Sequence, residues 1–181
     1  MKNTVNRSTF RLAFCAVIAA LEVALMLVTG FVHIGTYALP CFAGLLTIAI
    51  VIEYNCKWAF GVFFVTAVLS FFLAPDKEAD VFFIALFGYY PILKNIIERK
   101  ISGKIISYLI KFAVFNAAAV GSFFVTTLLL GVSPDEYTLF GVYIPFVFLI
   151  VGNLFFFVYD IAIGVFVKFY VQRLRNAIFR K

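Results

Sequence analysis

The residues of this chain that could do chemistry are few, and several lie inside long apolar stretches. Glu22, Asn116, Asn153 and Asp160 all do. Ionisable and amide groups at membrane depth are costly, so they face a bundle interior or a cavity. Glu22 follows Arg11 by 11 residues, which puts it near mid-membrane. Asp160 precedes Lys168 by eight residues and Asn116 follows Lys111 by five, which puts both in the inner half. Asn116 and Asp160 are therefore expected to approach each other and share hydrogen bonds, as a structural clamp or as ligand contacts. Asn153, beside Gly152, lies higher and is better placed to meet a molecule entering from outside.

A second group gathers at the loops. Thr36 and Tyr37 follow the lone His33, and Asp76, Lys77, Glu78 and Asp80 form a short charged turn. Tyr89 and Tyr90 lie deeper, next to Pro91. Aromatic walls with a few converging polar groups suit a small-molecule pocket. Solvated loops and an interfacial aromatic belt suit the same residues. His33 is a candidate pH sensor or ligand contact. No second His or Cys stands at ligand spacing, so no metal site is expected. Cys15, Cys41 and Cys56 are scattered through apolar segments and read as small core residues.

The sequence lacks an H-E-x-x-H, a G-x-S-x-G and a P-loop, so neither an enzyme nor a bound cofactor is expected. Of the 181 residues, 65% are hydrophobic and mean hydropathy is +1.08. Soluble domains run about 45–50% apolar. The elements that must position these side chains are therefore membrane helices. Six apolar spans approach the roughly 20 residues that one crossing needs: about 9–30, 37–53, 57–73, 79–98, 104–130 and 136–172. The expected fold is an all-α integral membrane protein, a single six-helix bundle over 1–181. The sixth span is too long for a straight crossing. Glu22 interrupts the first span and no small-x-small site follows before His33, so it reads as a retained helix and not a cleaved leader. In the fourth span, Pro91 leaves the Phe87 carbonyl without its helical donor and invites a kink.

With the N-terminus inside, every Lys and Arg except Lys77 falls on the inner side. Cytoplasmic loops collect these residues, so both termini are expected in the cytoplasm. The net charge of +6 then faces anionic lipid, not nucleic acid. On the first helix Ala13, Ala16, Ala20 and Ala24 form a stripe at three- and four-residue spacing, and Glu22 projects roughly opposite with Cys15 and Thr29. Small residues admit a close helix neighbour, from this bundle or from a partner.

In size, span number, basic inner side and the Ala16, Ala20, Ala24 spacing, the chain resembles the substrate-binding (S) components of energy-coupling-factor transporters, the prokaryotic vitamin importers. The resemblance covers essentially the whole chain and rests on architecture plus that one short motif. It implies a multi-pass cell-membrane protein that captures a vitamin or similar small molecule from outside. It further implies that His33–Leu39 and Pro75–Asp80 cover the pocket, and that the alanine stripe docks on a coupling transmembrane subunit carrying two ABC ATPases. The substrate itself is not indicated. Two other readings stand beside it: a structural six-helix protein similar to the MreD cell-shape family, and a small ion-coupled carrier with Glu22 and Asp160 as proton or cation sites.

Overall fold

The computed structural model describes residues 2–31, 35–130, 138–139 and 142–175. Helix α1 is Lys2–Val28, α2 Gly35–Glu53 and α3 Cys56–Leu73. The fourth span comprises α4 (Lys77–Phe82), a π-helical turn at Phe83–Phe87 and α5 (Tyr90–Lys100). Then come α6 (Lys104–Leu130), the two-residue antiparallel pair β1 (Thr138–Leu139) and β2 (Val142–Tyr143), and α7 (Ile144–Phe169), which ends in a π-helical turn at Tyr170–Leu174. Among the described residues six spans are long and apolar enough to cross a membrane. Successive spans run in opposite directions. One end of the bundle carries the Asn55 turn and the other the Pro75 turn.

Local chemistry sets these boundaries. Asn55 caps α3, its side-chain oxygen accepting from the Trp58 amide at 3.1 Å. Asp76 caps α4 in the same way, accepting from the Ala79 amide at 3.1 Å. Lys77 folds back over the end of α3 and donates to the carbonyls of Phe71 (2.6 Å) and Ala74 (2.8 Å), two acceptors a helix end leaves open. Gly30 rests on Pro75: a Cβ there would lie 2.2 Å from the proline ring, so only glycine allows the α1 terminus to approach that turn.

The structure moves two expected boundaries. Pro91 does not sit within one kinked helix. It lies in the first turn of α5, where its missing N–H is harmless, and the chain breaks before it at Gly88–Tyr89. The last helix begins at Ile144, not near residue 136, with Pro145 in its first turn for the same reason. At 26 residues, with five more in the π-helical turn that continues it, it still exceeds the roughly 20 that a straight crossing needs.

The core has three parts. Met26, Ala43, Ala67, Ala79 and Phe83 pack α1–α4 near the Pro75 end. Cys15, Ile50, Val62 and Ile92 pack α1, α2, α3 and α5 nearer the Asn55 end. Leu86, Tyr90, Phe115, Phe156 and Tyr159 join the fourth span to α6 and α7. Large apolar side chains such as Phe64, Phe72, Leu109 and Leu154 point outward, the surface a bilayer would solvate.

Candidate functional site

Four polar assemblies lie within or at the end of this apolar bundle. The first closes the Pro75 end. Thr36 donates to Asp76 Oδ2 at 2.8 Å and Tyr37 donates to Glu78 Oε1 at 2.6 Å, tying the start of α2 to the start of α4. The Tyr37 ring meets Phe82 edge-on, with centroids 5.1 Å apart. Asp80 is fully buried behind them, its carboxylate 3.6 Å from the Lys77 ammonium. His33 lies outside the described residues.

The second is centred on Glu22, which is fully buried. Thr47 of α2 donates to its Oε1 and Thr66 of α3 to its Oε2, each at 2.7 Å. One carboxyl thereby ties three helices together. Cys15 and Thr29 share the buried face of α1, whereas Ala13, Ala16, Ala20 and Ala24 are all exposed on the other. The two faces read from 100° periodicity are thus separated in space.

The third is ionic. Asp160 Oδ1 accepts from Tyr90 (2.6 Å) and Lys94 (2.8 Å), and the Lys111 ammonium stands 3.3 Å away. Lys94 also donates to the Asp160 carbonyl at 2.6 Å, and Lys111 pairs with Glu98. Lys94, Lys111 and Asp160 are all buried. The network joins α5, α6 and α7.

The fourth corrects an expectation. Asn116 does not meet Asp160. It forms a reciprocal amide pair with Asn153, each side chain donating to the other's oxygen at 2.9 Å. Asn153 therefore belongs to an α6–α7 clamp, and Asp160 is satisfied by lysines. Both cations had been read as marking the inner surface, but their ammonium groups reach back to Asp160. This displaces any depth measured from them.

The described residues expected to bind substrate do not line one pocket. Thr36, Tyr37, Asp76, Lys77 and Glu78 sit together at the Pro75 end, and Glu22 is enclosed by α1–α3. Tyr89 meets Phe63 edge-on, with centroids 6.0 Å apart. Tyr89 and Tyr90 face an apolar cleft shared with Phe115, Phe156 and Tyr159, which has room for about one water. Thr47, Thr66, Lys94 and Lys111 join these interior assemblies although the sequence does not mark them as site residues. Each Thr is an isolated hydroxyl in an apolar helix, a signal that could have paired them with Glu22. No group of three or more His, Cys, Asp or Glu among the described residues is placed to hold a metal ion.

Compared with protein-family models, with curated proteins and with solved structures, the chain finds no match.

Proposed function

We propose that this chain is the membrane-embedded capture subunit of an energy-coupling-factor type importer, taking a vitamin-sized molecule from the extracellular side, with both termini in the cytoplasm of a prokaryotic cell. The observation that carries the reading is the division of α1: one edge exposes Ala13, Ala16, Ala20 and Ala24, and the other is buried, apolar except for Glu22 and Thr29. A helix with that division offers a second membrane subunit a close-packing surface without disturbing its own bundle. Support also comes from the Pro75 end, where Thr36–Asp76 and Tyr37–Glu78 fasten the start of α2 to the start of α4. That fastening suits a cover over a ligand entrance. The cleft at Tyr89, Tyr90, Phe115, Phe156 and Tyr159 is too small for a vitamin, so binding requires the helices to part.

In this reading the chain performs no catalysis, and ATP hydrolysis by the partner ATPases drives release. Purification from native membranes in mild detergent tests it, with proteomics and small-molecule mass spectrometry of whatever co-purifies. Recovery of a coupling membrane protein with two ABC ATPases is the expected result. Recovery of cell-wall or cytoskeletal proteins and no ligand would replace this reading with the structural one.

A further inference from the structure

The Glu22 assembly has a feature that a simple interhelical clamp does not need. Its carboxyl is fully buried in the bundle, and both oxygens are engaged only by hydroxyl groups. No Lys, Arg or His among the described residues lies within ion-pair distance. The polar groups that reach it are Thr47 on α2 and Thr66 on α3, with Tyr159 of α7 close enough to interact electrostatically. None carries a positive charge, and the Tyr159 hydroxyl points to the carbonyls of Cys41 and Phe87. The basic residue nearest to it on the same helix, Arg11, lies about 16 Å along the axis and stacks over Trp58. The contrast with Asp160 is direct, since that carboxylate has two ammonium groups beside it. An ionised carboxylate in a low-dielectric interior without a counter-charge is strongly unfavourable.

The geometry points to Glu22, Thr47 and Thr66 as a binding site for a monovalent cation, a proton or Na+, that neutralises the carboxylate between α1, α2 and α3. The donor set suits either ion. Each Thr oxygen keeps its lone pairs while its hydrogen points to Glu22. With Na+, the two hydroxyl oxygens and the carboxylate supply hard oxygen ligands. With a proton on the carboxyl, one Thr must accept instead of donate. Its own hydrogen then turns to the carbonyl four residues back, as Ser122 does to Ala118 and Thr127 to Phe123, each at 2.7 Å. The site thus makes the association of three helices depend on an ion, a property that stands apart from the importer reading.

Two measurements on the purified full chain separate the ions. The first is thermal unfolding in choline chloride with NaCl added at constant ionic strength. The second is infrared spectroscopy of the carboxyl region in Na+-free buffer. Na+ as the ion gives a saturable rise in wild-type Tm that is lost in Glu22→Gln. A proton gives no Na+ response, but a neutral-acid C=O band that Glu22→Gln removes. If Glu22→Gln does not fold, Thr47→Val and Thr66→Val keep the carboxyl. They should then weaken the Na+ response or move the C=O band to higher frequency. The proposal is overturned by a wild type without a Na+ response in which Glu22→Gln removes only carboxylate intensity, or by Thr variants that leave both signals unmoved.

Discussion

Tyr159 of α7 directs its hydroxyl at the carbonyl of Phe87, 3.4 Å away, the acceptor that Pro91 cannot serve. In an unbroken helix residue 91 would donate to that oxygen, but proline has no N–H. The bond is long, yet the group is buried, and an unmet buried carbonyl is expensive. Tyr159→Phe keeps the ring and removes the donor. It should lower the free energy of unfolding by about 1–3 kcal/mol, read as a lower midpoint in detergent unfolding. An unchanged midpoint would mean that Phe87 finds another donor.

Gly44 of α2 closes the same point from the third side. A Cβ there would lie 2.2 Å from the Phe87 oxygen and 2.8 Å from the Tyr159 hydroxyl. Gly44→Ala should therefore destabilise by about 1–3 kcal/mol or more through overpacking. Gly61→Ala and Gly121→Ala are the controls, because a Cβ at either meets nothing within 4 Å. These should be neutral or slightly stabilising, since alanine is the better helix former by about 1 kcal/mol. Equal losses at all three positions would refute the close contact.

The Asp160 network should show strong coupling. Asp160→Asn leaves two ammonium groups short of a counter-ion, and Lys94→Met leaves Asp160 with Lys111 and Tyr90 only. One-sided disruption of a buried pair costs about 3–5 kcal/mol. The double variant should lose less than the sum of the two single variants, because Lys111 still holds Glu98. A double-mutant cycle of unfolding free energies measures this, and simple additivity would show that the pair is not coupled.

Glu22 and Glu53 make a matched comparison. Glu53 pairs with Arg175 at 3.0 Å at the Asn55 end, where the Arg side chain is half exposed. The Glu53 side chain is only 7% exposed, but water screens the Arg side, so the pair contributes about 1 kcal/mol. Glu22→Gln makes one Thr turn its hydrogen to its own helix and accept from the amide N–H2, and it removes the charge that would hold a cation there, at a cost of about 1–3 kcal/mol. Glu22→Gln should therefore depress the unfolding midpoint more than Glu53→Gln does. Equal shifts would contradict the buried, hydroxyl-bonded site.

The alanine edge makes a prediction that belongs to the importer proposal. Ala20→Leu adds volume to a residue exposed on the outside of the bundle. The chain's own stability should stay within about 0.5 kcal/mol, while recovery of the coupling subunit in pull-down should collapse. Loss of stability together with partner would show that the stripe serves internal packing.

The membrane helices were legible in the sequence because a bilayer imposes length and apolarity on every crossing. The two faces of α1 were legible because Ala16, Ala20 and Ala24 repeat near the helical period while Cys15, Glu22 and Thr29 fall on the far side. The pairing of interior polar groups was not. The depths follow from Arg11, Lys111 and Lys168, on the premise that cationic groups stay at the surface. Lys94 and Lys111 bend inward to Asp160 instead, because a long, flexible side chain can carry its charge away from its backbone level. Asn153 and Asp160 differ by seven residues, two helical turns and about 10 Å along α7. That offset suffices to hand Asn116 to one and the lysines to the other.

The break in the fourth span also divides it mechanically. Its first part, α4, is fastened to α2 through Thr36–Asp76 and Tyr37–Glu78. Its second part, α5, is fastened to α6 and α7 through Lys94–Asp160 and Lys111–Glu98. Glu22 meanwhile binds α2 to α1 and α3. Between the two fastened groups lie the π-helical turn at Phe83–Phe87 and the interruption at Gly88–Tyr89, where the α-helical ladder is already given up. The break thus divides the polar ties of the bundle into one set holding α1–α4 and another holding α5–α7, and across it run the Glu53–Arg175 pair and the apolar packing of Ile92 against α1–α3.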